Sequence, residues 1–160
     1  MGIQQGPLVE SSEQAAAPHA CQEDPMSPTL FALVGFATWT TLLVFCLANL
    51  RVLNSQQTGK ALNSFLPDGS DLEGLGQRWT RAHLNALEFL PIVATVGLAA
   101  VFSGNAAVTD PLAMGVLYLR IAQSAVHIAS TAVPFVLVRA MLFVGQIAIV
   151  LYWAFQLLTS

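Results

Sequence analysis

Residues 28–50 read PTLFALVGFATWTTLLVFCLANL and contain no charged side chain. A helix of about 20 apolar residues is long enough to cross the hydrocarbon core of a bilayer, which is about 30 Å thick. The stretch therefore predicts a first transmembrane helix over about 28–51. The whole chain of 160 residues is 55% hydrophobic and only 9% charged, whereas a soluble domain carries about 25% charged residues. Too few charges remain to cover a water-facing surface, so lipid must surround most of the chain.

Two further apolar regions follow the first one. Residues 84–102 contain Glu88 as their single charged side chain, and they predict a second helix over about 78–102. Residues 111–158 are roughly twice as long as one crossing requires. Proline disfavours a continuing helix and arginine prefers the membrane interface, so we expect a break near Pro134 and Arg139. The prediction is an all-α membrane bundle within 27–160, with helices three and four at about 112–133 and 138–158.

The N-terminal residues differ from the rest in kind. Residues 1–26 contain four acidic side chains and no lysine or arginine. A secretory signal needs a basic region before a short apolar core, so the segment predicts a disordered acidic tail instead. Translation from Met1 and translation from Met26 both fit the sequence. No cysteine or histidine spacing predicts a metal site, and no basic stripe predicts nucleic-acid binding.

The basic residues predict the orientation of the bundle. Arg51, Lys60, Arg78 and Arg81 lie in or beside the loop between helices one and two, and Arg139 lies at the predicted connection between helices three and four. Four crossings place these two connections on the same side of the membrane. By the positive-inside rule that side is cytoplasmic, so both termini are expected on the non-cytoplasmic side.

Helix two carries an unusual set of polar side chains for a membrane segment. Residues 78–91 read RWTRAHLNALEFLP, in which Arg78, Arg81, Asn85 and Glu88 are three, four and three residues apart. This spacing places the four on one helical face, while His83 points elsewhere. A charged side chain at the bilayer centre costs at least about 2.5–3.5 kcal/mol. We therefore expect Glu88 to face protein, water or ligand rather than lipid.

Helix three repeats the pattern, with Arg120, Gln123, Ser124 and His127 on one face. Arg120 and Glu88 are natural ionic partners, within one chain or between chains. A single buried polar residue is explained well by an interhelical hydrogen bond worth about 0.6 kcal/mol. Two facing polar helices instead favour a ligand site. Its excess of cationic donors suits an anionic, peptide-like ligand with carboxylates and amides.

The helix-two pattern Arg-x-x-Arg-Ala-His-x-Asn-x-x-Glu-x-x-Pro at 78–91 resembles the signature of the MAPEG family, the membrane-associated proteins of eicosanoid and glutathione metabolism. It is most similar to the motif of microsomal glutathione S-transferase, and the resemblance runs from about Pro28 to the end of the chain. It implies a homotrimer that holds glutathione as co-substrate, without metal, between neighbouring subunits in the cytoplasmic half of the membrane.

The resemblance also implies roles for single residues. Arg139 matches the arginine associated with the glutathione thiolate and is the expected catalytic residue, although it lies further from Arg120 than in the family. Its simpler interpretation is a topology anchor. His127 stands where many members have tyrosine, and a plain interhelical hydrogen bond is an alternative for it. The residues expected to bind or support glutathione are Arg51, Arg78, Arg81, His83, Asn85, Glu88, Arg120 and His127.

Three functional hypotheses follow from these residues. The first is a glutathione-dependent transferase or peroxidase that acts on lipophilic electrophiles reaching it through the bilayer. The second is a glutathione-binding or purely structural trimer without turnover, which the departures at His127 and Arg139 motivate. The third is a small transporter or proton relay, because buried Arg, Glu and His serve such proteins. Missing signals for broken helices or inverted repeats weaken this third hypothesis.

Overall fold

The computed structural model describes Gly2 and residues 26–159. Within them lie four long helices, α1 (Pro28–Thr58), α2 (Leu75–Phe102), α3 (Ala106–Ala129) and α4 (Val133–Thr159). Each is long and apolar enough to cross a membrane. The predicted all-α four-helix bundle is therefore confirmed. The prediction of a disordered tail over 1–26 concerns residues that, apart from Gly2 and Met26, lie outside the described part of the chain.

The helix ends differ from the predicted ones for local reasons. α1 continues through Thr58 rather than stopping near 51, and it ends where Gly59 adopts a left-handed φ of 73°. Glycine tolerates that conformation and commonly terminates helices. We placed the predicted end of the helix at 51 because the apolar run ends there. The helix itself continues for about two further turns, which include polar residues. α3 begins at Ala106 rather than near 112 and includes Pro111 close to its N-terminal end.

The connection between α3 and α4 lies earlier in the chain than predicted. α3 ends at Ala129 and α4 begins at Val133, so that only 130–132 join them. Pro134 therefore lies in the first turn of α4, where its missing N–H has no helical partner to lose. Arg139 lies within α4, and its predicted position at the connection is wrong. The proline marks the start of a helix here, whereas we expected it to separate two helices.

The core of the bundle forms where α3 packs against each of the other helices. α4 packs mainly on α3 and only lightly on α2. Buried apolar side chains of this core come from all four helices, among them Phe36, Phe89, Val116 and Trp153. The outer surface carries many large exposed apolar side chains, as expected of a surface that faces lipid tails.

One end of the bundle is held by a polar contact between the starts of α1 and α3. The Asp110 carboxylate accepts hydrogen bonds from the Thr29 backbone N–H at 3.0 Å and from the Thr29 hydroxyl at 2.6 Å. The hydroxyls of Thr29 and Thr109 lie 2.7 Å apart, and both residues are almost fully buried. Asp110 thus caps the first turn of α1 from a neighbouring helix.

At the opposite end, the loop from 59 to 74 is held in place by ionic contacts. Arg51 near the end of α1 donates from Nη2 to the backbone carbonyl of Leu66 at 3.1 Å. Lys60 pairs with Asp71, which also accepts the backbone N–H of Leu66 at 3.1 Å. The Lys60 ammonium lowers the pKa of the Asp71 carboxyl below its usual value. The loop therefore has a defined fold of its own.

Candidate functional site

A polar cleft of about 250 Å³ opens between α2, α3 and α4. Its polar lining comes from Asn85 of α2, Gln123 and His127 of α3, and Arg139 of α4. The remaining lining is apolar: Val136, Ala140 and Phe143. A larger groove of about 390 Å³ lies between α1 and α3, but its lining is almost wholly apolar. The cleft is therefore the candidate site, because it brings side chains predicted on separate helices to one place.

Arg120 lies behind the cleft at the centre of the bundle and is only 1% exposed. Its Nη1 donates to the side-chain oxygen of Asn85 at 2.5 Å. The guanidinium carbon lies 5.2, 4.9 and 5.9 Å from the ring centroids of Phe36, Phe89 and Phe143. Cation–π contacts reach about 2 kcal/mol or more when they are desolvated. All four helices thus meet around one cation.

The ion pair expected between Arg120 and Glu88 does not form within the described residues. Glu88 is exposed on the outer side of α2, whereas Arg120 is buried behind Asn85. Asn85 and Glu88 lie three residues apart on one broad side of α2. Asn85 contacts Arg120 of α3, whereas Glu88 is exposed. Arg120 does not line the cleft of its own chain, and it is connected to the cleft lining through its hydrogen bond to Asn85.

His127 of α3 and Arg139 of α4 both line the cleft. His127 is 9% exposed, and the positive charges of Arg139 and Arg81 both act on it. α4 begins just before Pro134, and its second turn brings Arg139 to the cleft. Arg139 reaches this position although it lies further from Arg120 along the sequence than in the family. The cleft therefore combines two amides, an imidazole and nearby cations.

Arg78 serves the end of α3 rather than the cleft. Its Nε donates to the backbone carbonyl of Ile128 at 2.7 Å. The last carbonyls of a helix have no partner within the helix, and a cation is favourable at that end of the dipole. Arg78 thus supports the site indirectly, because it fixes the helix end next to His127.

Two other predicted residues face away from the cleft in the described chain. His83 lies against the backbone of Thr40 on α1, beside Trp79, whose indole donates to the carbonyl of Leu43 at 2.9 Å. Arg51 binds the carbonyls of the first loop. Neither His83 nor Arg51 is brought together with the cleft residues of its own chain.

Arg81 and Glu88 lie on an exposed face of α2. At about 1.5 Å per residue, Glu88 is roughly 20 Å along the axis from Leu75, near the middle of the helix. A carboxylate at that depth is costly in lipid. This face is consequently the part of the surface that most needs a polar cover.

The sequence did not indicate four side chains that shape the site. Three are the rings around Arg120, since phenylalanine is too common in membrane helices to stand out. The fourth is Gln146, which is fully buried and donates from Nε2 to the side-chain oxygen of Gln123 and to the carbonyl of Leu142, both at 3.0 Å. Its amide stands inside the apolar run 140–151, and this was a signal that could have identified it.

Four helices that are long and apolar enough to span a membrane define the class of multi-pass membrane proteins, and in this chain a cleft with polar side chains opens between three of them. The model of the MAPEG family matches residues 29–159, and the chain belongs to this family. Membership confirms the resemblance seen in helix two and places the chain among membrane proteins of glutathione and eicosanoid metabolism. Comparisons with curated proteins and with solved structures returned no match.

Proposed function

We propose that the protein is a membrane-bound, glutathione-dependent transferase or peroxidase that acts on lipophilic electrophiles. The observation that carries the proposal is the cleft that joins Asn85, Gln123, His127 and Arg139 in a MAPEG chain. Amide N–H groups and a guanidinium suit the carboxylates and peptide carbonyls of glutathione. The apolar wall around Phe143 suits the approach of a substrate dissolved in the bilayer.

The chemistry begins with the glutathione thiol. A free thiol has a pKa of about 8.5, and a neighbouring cation lowers it. Arg139 remains charged and holds the thiolate, while His127 donates a hydrogen bond to the ligand. In transfer, the thiolate attacks an electrophilic carbon and the leaving group departs with its electron pair. In peroxide reduction it attacks the O–O bond and releases an alcohol, and a second glutathione then converts the sulfenic acid to a disulfide and water.

The proposed site is completed between subunits of a homotrimer. Arg81 and Glu88 are exposed on α2 beside the cleft, where a second chain would cover them and meet the ligand. The same cover would relieve the cost of two charges facing lipid. The positive charges of Arg51, near the end of α1, and of Lys60, at the start of the loop, support a site in the cytoplasmic half, with both termini on the other side.

The first test is a titration of the purified protein with glutathione. Calorimetry measures binding, and the ultraviolet absorbance of the thiolate measures ionisation of the thiol. We expect binding with thiolate formation in the wild type. In Arg139→Ala we expect binding to persist and the thiolate absorbance to fall, because the cation that holds the sulfur charge is gone. Arg139→Lys is the matched control and should keep much of the signal.

The outcomes separate the functional hypotheses. Absence of glutathione binding in the wild type contradicts the proposal. Thiolate formation followed by turnover of an aryl halide or a lipid hydroperoxide supports the enzyme. Binding with neither activity supports the alternative, a glutathione-binding or structural trimer without turnover.

A further inference from the structure

The side chain of Asn85 can present either of two surfaces to the cleft. An amide has an oxygen that accepts and an NH₂ group that donates, and its orientation follows from its hydrogen-bond partners. The partner behind Asn85 is Arg120, whose guanidinium carries donors only. Its Nη1 contacts the side-chain oxygen of Asn85 at 2.5 Å. The oxygen of Asn85 is therefore turned toward Arg120.

Gln123, the second amide in the cleft lining, is fixed in the same sense from α4. The carbonyl of Leu142 can only accept, and it takes the Nε2 group of Gln146 at 3.0 Å. This sets the orientation of Gln146, whose Nε2 also donates to the side-chain oxygen of Gln123 at 3.0 Å. The oxygen of Gln123 is thus occupied from behind, as that of Asn85 is.

Burial makes the reverse orientations costly. Arg120 is 1% exposed, Gln146 0% and Gln123 4%. Turning Asn85 over would set its NH₂ group against the guanidinium and leave Nη1 of Arg120 only the distant backbone carbonyl of Asn85, at 3.5 Å, among the acceptors of the described residues. An unpaired buried donor lowers an equilibrium constant by about tenfold or more. Water is poorly placed to relieve this, because three aromatic rings enclose the Arg120 side chain.

We infer that Arg120 and Gln146 are positioning residues that turn Asn85 and Gln123 so that both amides present N–H donors to the cleft, which makes the cleft selective for groups that only accept. The inference rests on the proposed function for the identity of the ligand. Arg139 adds further donors on the facing helix. Ionised carboxylates, peptide carbonyls and a thiolate fit such a lining. The ammonium group of glutathione has donors only, and it lies outside this part of the site.

The sharpest test exchanges one amide for the acid of the same shape. Asn85→Asp keeps an oxygen for Arg120 and replaces the NH₂ donor by a second acceptor that repels a carboxylate. Gln123→Glu does the same next to Gln146. We expect each variant to fold with a melting temperature near that of the wild type and to bind glutathione about tenfold more weakly or worse. Gln156→Glu is the matched control, because the side chain of Gln156 donates to the hydroxyl of Tyr152 near the far end of α4 and does not line the cleft. The glutathione affinity of this variant should be unchanged.

A second pair of variants tests the positioning role itself. Arg120→Lys remains a pure donor and should keep Asn85 in place, whereas Arg120→Gln can also accept and allows the amide to turn. We expect glutathione affinity to fall about tenfold in Arg120→Gln and much less in Arg120→Lys. In an Asn85→Ala background the difference between the two should disappear. Equal effects of both substitutions, or wild-type affinity in Asn85→Asp, would overturn the inference.

The failure of this inference differs from the failure of the proposed function. If the wild type does not bind glutathione, the proposed function is wrong. The hydrogen bond between Arg120 and Asn85 can then still be tested by the melting temperatures of three variants: Arg120→Met, Asn85→Ala and the double variant. If the double variant lowers the melting temperature by less than the two single variants together, the Arg120–Asn85 linkage is supported. If the decrease equals the sum of the two single decreases, the linkage is overturned.

Discussion

Arg120 shows how a membrane bundle tolerates a cation at its centre. Its Nη1 has an amide oxygen, while no hydrogen-bond partner among the described residues reaches Nε or Nη2. The rings of Phe36, Phe89 and Phe143 surround the guanidinium and offer their negative faces to it. Arginine suits this place because its planar charge is delocalised and weakly hydrated. The charge therefore belongs to the core of the fold as well as to the site.

Asp110 is the residue on which the other end of the bundle depends. Its carboxylate accepts both the backbone N–H and the hydroxyl of Thr29. We expect Asp110→Ala to lower the free energy of unfolding by about 1–2 kcal/mol, since a helix cap is lost. Thermal unfolding in detergent measures the effect. Asp68→Ala is the control, because the Asp68 carboxylate accepts from the backbone N–H and the hydroxyl of Ser70 within the exposed loop, far from the cap of α1. Equal melting temperatures for the two variants would contradict the role of Asp110.

The sequence could identify Asn85, His127 and Arg139 because polar groups stand out in apolar runs. It could not show that Asn85 rather than Glu88 meets Arg120. Both carboxylate and amide are acceptors, and charge alone favours the carboxylate. The outcome depends on the direction in which α2 turns toward α3, a property of the packed bundle that no spacing in one helix contains.

Among the helices, α2 divides its polar residues over three faces. Asn85 lines the cleft, Trp79 contacts the backbone of α1, and Arg81 and Glu88 face outward. The helical repeat predicted that Arg78, Arg81, Asn85 and Glu88 lie on one side of α2. These four residues cover so broad a side of α2 that it faces more than one neighbouring helix. The spacing alone therefore could not assign a partner to each residue. The four helices themselves were predictable, because length and apolar composition suffice for them.

The first loop should respond to acid because of its ionic contact. The pKa of Asp71 lies below its usual value of 3.8 because Lys60 donates to the carboxylate. A lowered folded-state pKa means that the contact stabilises the loop above about pH 3.8, and this stabilisation is lost as the pH falls through the lowered value. We expect faster hydrogen exchange at the Leu66 amide in acid, after correction for the intrinsic rate. Asp71→Asn should exchange quickly at every pH, and an equally protected amide in that variant would contradict the prediction.

At the scale of the whole molecule, the helices expose many large apolar side chains, and α2 also exposes the charged side chains of Arg81 and Glu88. A single chain in the bilayer would leave Glu88, near the middle of α2, against lipid, at about 2.5–3.5 kcal/mol on insertion scales. Association through this face replaces lipid by protein and ligand groups. The same face adjoins the cleft, so assembly and ligand binding are expected to depend on each other.

This reasoning predicts that the chain associates through α2, and the number of three copies comes from the resemblance to the MAPEG family. Native mass spectrometry from mild detergent should give the mass of three chains. A photo-reactive side chain at Ile92, which is 51% exposed and one turn beyond Glu88, should cross-link to a second copy because the charged face must be covered. The same probe at Met141, which is 75% exposed on α4 and points away from the cleft, should react with lipid. A single-chain mass together with lipid adducts at both positions would show that Glu88 is stabilised in another way, and the proposed site between subunits would then have to lie within one chain.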